Sequence, residues 1–154
     1  MYAPVTLDID FNPTVALEEI SPEAHPLVEH FYRTNGYKFH CGRYERLFVV
    51  RLNIEIFAAA RLLPRQENTY WLRNMLVTRE KRSMGVGAYL MREILRHIAP
   101  ASCYCFALPQ VVDFYQRLGF VMGMPESCPP DIAGTYRKYK SSGRDWVLMF
   151  AKSP

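Results

Sequence analysis

The sequence predicts an α/β fold in which strands and amphipathic helices alternate along one domain of 154 residues. Two observations support this prediction. Apolar runs of strand length recur between turn-forming residues, and a strand–turn–helix segment over 71–99 carries two glycines, Gly85 and Gly87, where its helix begins. Because a chain of this length buries roughly two-thirds of its unfolded surface, it can form a substantial hydrophobic core.

The first half of the chain predicts a strand, a helix and a pair of strands. Residues 5–9 alternate apolar and polar side chains, as a half-buried strand does. A serine followed by a proline, at Ser21, marks the start of a helix that ends before Gly36. Residues 47–52 and 55–62 predict two strands paired across a two-residue turn.

The second half predicts three further strands and two helices. The first helix covers 85–99, and the second covers 111–118 and ends at Gly119. Prolines, glycines and basic residues over 122–145 predict a long loop. The strands are apolar runs over 71–77, 102–107 and 145–152. The buried face of the first helix is predicted to contain Val86, Leu90, Ile94 and Ile98.

The segment 82–87, Arg-Ser-Met-Gly-Val-Gly, joins the strand over 71–77 to the next helix. The first N–H groups of a helix lack intrahelical acceptors and lie at the positive end of its dipole, so a glycine-containing start suits phosphate oxygens. A Walker loop is excluded, because its glycines are separated by four residues and followed by Lys-Ser/Thr. A dinucleotide-binding loop needs a third glycine where Leu90 stands. Glycines that only ease packing are the remaining alternative.

The same segment matches the Arg/Gln-x-x-Gly-x-Gly/Ala loop of the GNAT superfamily of N-acetyltransferases at every defined position. Residues 114–120, Phe-Tyr-Gln-Arg-Leu-Gly-Phe, resemble the Tyr-x-x-x-Gly-Phe signature of that superfamily. Residues 145–152 resemble its last strand, with a Leu-Met pair. From residue 47 to residue 152 the chain therefore resembles a GNAT acyltransferase.

The resemblance implies an α/β (α+β) fold over 1–154, with a central mixed, mostly antiparallel sheet of about six to seven strands flanked by about four helices. It also implies that acetyl-CoA is the cosubstrate and that no metal is needed. The backbone of the glycine loop would hold the pyrophosphate, at Arg82, Ser83, Met84, Gly85, Val86, Gly87 and Ala88. The backbone of Leu76 and Val77 would pair with the pantetheine arm, and one N–H would polarise the thioester carbonyl.

Tyr115 matches the tyrosine that protonates the departing thiolate in many relatives, and a phenol is mostly protonated at neutral pH. A helix tyrosine that only packs is the alternative. The chain departs from the family at Leu108, where an asparagine that contacts the coenzyme often stands. It departs again at Trp71, where many relatives place a glutamate.

The acceptor and the general base stay open. Arg73 would face the same side of its strand as Trp71, so we expect both to contact the acceptor, with Arg73 pairing an acidic group. A small metabolite amine is preferred over a peptide N-terminus, a protein lysine, an aminoglycoside or a polyamine, and a homodimer is possible. The base is either absent or acts through water from one of Glu67, Glu55 and His40.

Composition and charge limit the alternatives. A net charge of +4 is small, and the basic residues over 137–144 are expected in a solvated loop rather than at a nucleic acid. Membrane insertion is not expected, because no apolar run approaches roughly 20 residues. Residues 1–4 do not resemble the start of a signal peptide, so a cytoplasmic protein is expected. Cys103 and Cys105 are expected to be buried thiols on one strand face, since the four cysteines lack metal-ligand spacing.

Two other functions remain open at this stage. One is a catalytically silent acyl-CoA-binding regulatory module, which the missing strand carboxylate and Leu108 permit. The other is a nucleic-acid-binding module, for which binding would depend steeply on salt concentration.

Overall fold

The computed structural model describes residues 16–152, so the strand predicted over 5–9 lies outside the described residues. Among the described residues, no helix is both long enough and apolar enough to pass through a bilayer. The strands are β1 Ala16–Ile20, β2 Arg46–Leu52, β3 Glu55–Arg65, β4 Thr69–Val77, β5 Ser102–Ala107, β6 Val121–Met122 and β7 Val147–Ala151. The α-helices are α1 His25–Thr34, α2 Val86–Ile98, α3 Val112–Arg117 and α4 Pro130–Ser141.

The seven strands form one mixed sheet in the order β1-β2-β3-β4-β5-β7-β6. The pairs β1–β2, β2–β3, β5–β7 and β6–β7 are antiparallel, whereas β4 and β5 are parallel. The parallel ladder is short and ends where Trp71 pairs with Tyr104. The predicted α+β fold with a mixed, mostly antiparallel sheet and about four helices is confirmed.

By internal contacts the chain divides into two compact units. The N-terminal unit contains residues 16–63 and 73–94, and the C-terminal unit contains residues 64–72 and 95–152. One face of α1 packs on β2 and β3 in the core of the N-terminal unit, formed by Ile20, Val28, Phe31, Tyr32, Leu47, Val49 and Ala59. The core of the C-terminal unit is rich in aromatic and sulfur side chains, among them Trp71, Cys103, Tyr104, Cys105, Leu148 and Met149.

Helix α2 follows the predicted hydrophobic period, because residues three or four positions apart share a helix face. The four side chains predicted for its buried face are 3% exposed or less, which confirms that prediction: Val86, Leu90, Ile94 and Ile98. On the other side, Arg96 and His97 are exposed. Helix α1 begins at His25, after a 3-10 helix over Pro22–Ala24, so the α-helix starts four residues later than Ser21.

The prediction of a long loop over 122–145 is wrong. A 3-10 helix spans Pro125–Ser127, and α4 spans Pro130–Ser141. The helix buries only Ile132 and Ala133, and its basic residues lie on the exposed part of its surface, which explains the loop-like composition. The residues expected in a solvated loop, Arg137, Lys138 and Lys140, are therefore helical, while Arg144 follows the helix.

Helices α1, α3 and α4 end in the same left-handed glycine cap. Each glycine adopts a positive φ, at 93°, 96° and 93° for Gly36, Gly119 and Gly143. In each case the residue after the glycine donates its N–H to the carbonyl of a tyrosine five positions earlier, which is the Schellman arrangement. These hydrogen bonds run from Tyr37 to Tyr32 at 2.9 Å, from Phe120 to Tyr115 at 3.0 Å and from Arg144 to Tyr139 at 3.1 Å.

Candidate functional site

The loop between β4 and α2 contains two residues with left-handed backbone. Ser83 and Gly85 both adopt positive φ, at 66° and 82°. The first helical hydrogen bond of α2 runs from the Tyr89 N–H to the Gly85 carbonyl at 3.0 Å. The N–H groups of Val86, Gly87 and Ala88 precede that bond, so they have no acceptor within the helix. They lie at the positive end of the helix dipole and can donate to an oxyanion.

Side-chain and backbone contacts hold this loop against the strands. The Arg82 Nε donates to the Val77 carbonyl at 2.9 Å, which bridges the loop back to the end of β4. The Thr78 N–H donates to the Phe57 carbonyl at 2.9 Å, and the Lys81 ammonium lies 5.7 Å from the centre of the Phe57 ring. Because Arg82 engages a carbonyl, its side chain positions the loop as well as adding positive charge.

Strand β4 contains one left-handed residue, Asn74, whose φ is 52°. The Tyr32 hydroxyl donates to the Asn74 carbonyl at 2.7 Å, and the Arg61 Nη1 donates to the Asn74 Oδ1 at 2.8 Å. A left-handed residue turns the following backbone groups away from the regular strand direction. The left-handed residue therefore kinks β4 just before Leu76 and Val77, which are its last two residues.

A buried ion pair supports this kink. Arg61 donates to the Glu45 carboxylate through Nε at 2.7 Å and through Nη2 at 2.8 Å. The two side chains are only 8% and 9% exposed. The Arg61 guanidinium also lies 4.2 Å from the centre of the Phe39 ring. Burial alone would raise the pKa of Glu45, but hydrogen bonds from Arg61 and from the Gly42 N–H, with the Arg61 charge, lower it below its ordinary value.

Tyr115 lies in α3 and is 8% exposed. Its ring packs edge-on against Phe114 and Phe120, with centroid separations of 5.1 and 5.2 Å. Burial, and after it the nearby thiols of Cys105 and Cys103, raise the pKa of Tyr115 well above its ordinary value. The phenol therefore remains protonated at neutral pH and can act as a hydrogen-bond donor.

The residues predicted to contact the acceptor differ in exposure. Trp71 is 5% exposed and packs 5.1 Å from the Phe106 ring, with the Arg65 guanidinium 5.1 Å from its centre. Arg73 is partly exposed. Leu108 is 45% exposed and precedes the 3-10 helix over Pro109–Val111. An apolar side chain there donates no hydrogen bond to a coenzyme.

All three candidate bases are exposed. Glu55 is exposed at the first residue of β3, whereas exposed Glu67 follows that strand in a tight turn with a φ of 57°. The His40 Nδ1 lies 3.6 Å from Glu29, and its side chain is 96% exposed. Sequence reasoning missed the arrangement around Asn74, because the partners that hold it come from α1 and β3 rather than from neighbouring residues.

The sequence and the fold were compared with those of known proteins. Residues 43–122 match the family described as the acetyltransferase (GNAT) domain. Comparison with curated protein sequences gave no match.

Solved structures share the fold. N-acetylglutamate synthase from Neisseria gonorrhoeae, complexed with coenzyme A and N-acetyl-glutamate, has a TM-score of 0.69 at 15% identity, and the match covers 93% of this chain and 36% of that chain. The chain thus spans about a third of that enzyme's length. The ribosomal-protein-S18-alanine N-acetyltransferase from Escherichia coli has a TM-score of 0.66 at 13% identity, covering 91% and 94% of the two chains. The IAA acetyltransferase from Bacillus cereus has a TM-score of 0.63 at 16% identity, covering 90% and 99%.

Proposed function

This chain belongs to the GNAT acetyltransferase family, and we propose that it transfers an acetyl group from acetyl-CoA directly to a primary amine, with a small molecule as the preferred acceptor. The observation that carries this proposal is the kinked β4 followed by a glycine loop at the start of α2. It offers strand backbone for a thioester and helix N–H groups for a pyrophosphate within one continuous segment.

The pyrophosphate-binding role is assigned to the backbone from Arg82 to Ala88. Gly85 is at a φ that favours glycine, and the first N–H groups of α2 lack intrahelical acceptors, which supports their use as donors to an oxyanion. The exposed side chains of Arg79 and Arg82 add positive charge beside the loop, which raises the local concentration of a polyanionic coenzyme.

The thioester-binding role is assigned to the backbone of Leu76 and Val77. After the Asn74 kink, an N–H of this segment can donate to the thioester carbonyl, where negative charge develops as the amine nitrogen attacks. The Val77 carbonyl accepts one hydrogen bond from Arg82, and a carbonyl oxygen can accept a second, which we assign to the pantetheine arm. Main-chain groups do this work, so the side chains of the segment contribute little to the chemistry.

Tyr115 is assigned as the proton donor to the departing thiolate. The amine attacks the carbonyl carbon and loses one proton to water, the carbon–sulfur bond breaks, and the thiolate gains one proton from the Tyr115 phenol, which water then reprotonates. Because the raised pKa of Tyr115 exceeds that of an ordinary thiol, near 8.5, its first contribution is a hydrogen bond that stabilises the thiolate. Arg73 is assigned as the acceptor contact, whereas the burial of Trp71 favours a packing role.

Thermal unfolding with and without acetyl-CoA tests the coenzyme assignment. A ligand at 100 times its dissociation constant stabilises the folded state by about 2.7 kcal/mol, which corresponds to a melting shift of about 5–10 °C for a domain of this size. We expect the wild type to show this shift and the Gly85→Glu/Gly87→Glu variant to lose it. The control, Gly134→Glu/Ser141→Glu, adds the same charge at exposed positions of α4 and keeps the shift. No shift in the wild type at saturating acetyl-CoA would overturn the proposal.

Release of free thiol in the presence of an amine panel then distinguishes an enzyme from a silent binding module. The panel contains small amines, amino acids, polyamines and short peptides with free N-termini. Among structural relatives, one acts on a ribosomal protein and another binds N-acetyl-glutamate, so both an amino acid and a peptide belong in the panel. A preference for small amines supports the proposed acceptor class, and exclusive use of the peptide contradicts it.

A further inference from the structure

A small cavity lies beside the thioester-binding segment of β4. Its volume is about 70 Å³, and its walls are formed by Tyr32, Tyr37, Asn74, Met75 and Leu76. We propose that this cavity receives the carbon chain of the acyl group and that Tyr37 restricts the donor to acetyl-CoA. The inference rests on the proposed function, since it takes Leu76 as part of the backbone that holds the thioester.

The size of the cavity matches an acetyl group. An engineered apolar cavity of about 150 Å³ holds benzene, which has six heavy atoms. A cavity of about half that volume, 70 Å³, suits the three heavy atoms of an acetyl group: the methyl carbon, the carbonyl carbon and the carbonyl oxygen. A butyryl group adds two carbons, so its chain must pass or displace the Tyr37 side chain at the open side of the cavity, or its carbonyl must withdraw from the Leu76 backbone.

The inner wall is rigid. Tyr32 is completely buried, and its hydroxyl is fixed by the 2.7 Å hydrogen bond to the Asn74 carbonyl. Its ring also packs 4.9 Å from Phe39, which in turn lies against the Arg61 guanidinium. Interiors packed in this way resist small volume changes, so a longer acyl chain gains no room on this side.

The outer wall is Tyr37, which is 47% exposed. Its backbone is held by the cap of α1, because its N–H donates to the Tyr32 carbonyl at 2.9 Å and the Gly36 N–H donates to the Arg33 carbonyl at 3.1 Å. The same motif commonly brings the side chain after the glycine against the residue at the start of the last turn, here Tyr32. The helix cap thus sets the distance between the two walls, and the Tyr37 side chain can be shortened without disturbing the backbone of the cap.

Isothermal titration calorimetry of CoA, acetyl-CoA and butyryl-CoA tests this inference without knowledge of the acceptor. We expect the wild type to bind butyryl-CoA about tenfold or more weakly than acetyl-CoA, which corresponds to the strain of overfilling a packed site. Tyr37→Ala should bind the two acyl-CoA molecules with similar affinity. Tyr37→Leu, which keeps an apolar side chain at the cap, is the second variant in case Tyr37→Ala does not fold. Tyr44→Ala is the control, because Tyr44 is 84% exposed and does not line the cavity.

The outcomes separate this inference from the proposed function. Equal affinity of the wild type for acetyl-CoA and butyryl-CoA overturns the acyl limit and leaves the coenzyme assignment intact. If folded Tyr37→Ala and Tyr37→Leu still bind acetyl-CoA as much more tightly than butyryl-CoA as the wild type does, Tyr37 does not limit the length of the acyl chain. If the wild type binds neither CoA nor acetyl-CoA, the proposed function fails, and the inference fails with it.

Discussion

Arg61 donates a 2.8 Å hydrogen bond from Nη1 to Oδ1 of Asn74, and this contact connects a buried ion pair to the kink in β4. The same guanidinium uses Nε and Nη2 for Glu45, so its three nitrogens are all engaged. Arginine suits this position because its planar guanidinium holds several acceptors in fixed directions. The left-handed backbone at Asn74 is thereby specified by a side chain from β3 and by the Tyr32 hydroxyl from α1.

Substitutions of Asn74 separate the hydrogen bond from the backbone conformation. Asn74→Gly keeps the positive φ but leaves an Arg61 N–H without its acceptor, so we expect a loss of about 2 kcal/mol in the free energy of unfolding. Asn74→Ala should lose about 1 kcal/mol more, because a Cβ disfavours left-handed backbone. Urea unfolding measures both values.

Asn53 provides the matched control for Asn74. It is exposed in the turn between β2 and β3 with a φ of 58°. The difference between Asn53→Ala and Asn53→Gly therefore measures the cost of the backbone conformation alone, at about 1 kcal/mol. If Asn74→Gly is as stable as the wild type, the contact with Arg61 does not hold the kink.

The Glu45–Arg61 pair predicts a specific loss of stability in acid. The pKa of Glu45 is lowered in the folded protein, so its contribution is complete above the ordinary value of 4.5 and is lost as the pH falls through the folded pKa. Glu45→Gln should reduce the free energy of unfolding by about 3 kcal/mol at pH 7. The gap between the two proteins should narrow progressively below pH 4.5.

An exposed pair of similar geometry is the control for Glu45. Arg51 donates to Glu18 at 2.8 and 2.7 Å, but the side chains are 27% and 45% exposed. Glu18→Gln should therefore change the free energy of unfolding by less than about 1 kcal/mol at any pH. An equal effect of the two substitutions would show that burial of the Glu45 pair does not strengthen it.

Alanine substitutions at two glycines should change the free energy of unfolding in opposite directions, because one glycine has a positive φ and the other is helical. Gly119 has a φ of 96° with open space where a Cβ would lie, so Gly119→Ala should destabilise by about 1 kcal/mol through backbone strain alone. Gly134 lies within α4 with the same open space, so Gly134→Ala should stabilise by about 0.5–1 kcal/mol. Thermal unfolding should move by about 2–4 °C in each direction. Shifts of the same sign would contradict the capping role of Gly119.

Local signals predicted most helices and strands, because hydrophobic period and capping residues are properties of neighbouring residues. The Tyr-x-x-x-Gly-Phe signature at Tyr115 has a physical basis of this kind, since its spacing forms the cap of α3. Helix α4 carried comparable signals, with Pro130 at its start and Gly143 after its end. They were missed because only two of its twelve residues are buried, so no hydrophobic stripe marks the helix.

The kink in β4 could not be predicted from neighbouring residues. Asn74 stands within a run that predicts an uninterrupted strand, and asparagine tolerates positive φ without requiring it. Its partners are distant, since Tyr32 precedes it by 42 residues and Arg61 by 13. The cavity bounded by Tyr37 depends on the same long-range contacts. The residues proposed to bind the coenzyme are adjacent in sequence, whereas the groups proposed to shape the acyl end of the site are not.

The burial of the cysteine side chains predicts that most thiols of the folded protein react slowly with thiol reagents. Burial raises the pKa of Cys103 to about 12, and burial followed by the Glu45 charge raises that of Cys41 to about 12. Cys105 is also buried with a raised pKa. Since the thiolate is the reactive form, buried Cys103 and Cys105 should react with Ellman's reagent at pH 8 only after urea is added, and partly exposed Cys41 should react slowly. Partly exposed Cys128 should react first, and rapid reaction of Cys103 in the folded protein would contradict its burial.

Tyr115→Phe tests the assigned proton donor. Removing the hydroxyl leaves the packing of the ring against Phe114 and Phe120 in place, so coenzyme affinity should stay within about twofold of the wild type. Turnover with the most active amine should fall by about 100-fold or more, the usual contribution of a positioned acid. Release of free thiol gives the turnover, and calorimetry with acetyl-CoA gives the affinity.

Tyr136→Phe is the matched control for that experiment. Its hydroxyl donates to the Trp146 carbonyl at 2.8 Å, so the substitution removes a structural hydrogen bond of the C-terminal unit. We expect it to lower the free energy of unfolding by about 1 kcal/mol and to leave turnover unchanged. Equal turnover of Tyr115→Phe and the wild type would show that the thiolate leaves without this phenol. Loss of coenzyme affinity together with turnover would instead assign Tyr115 to binding.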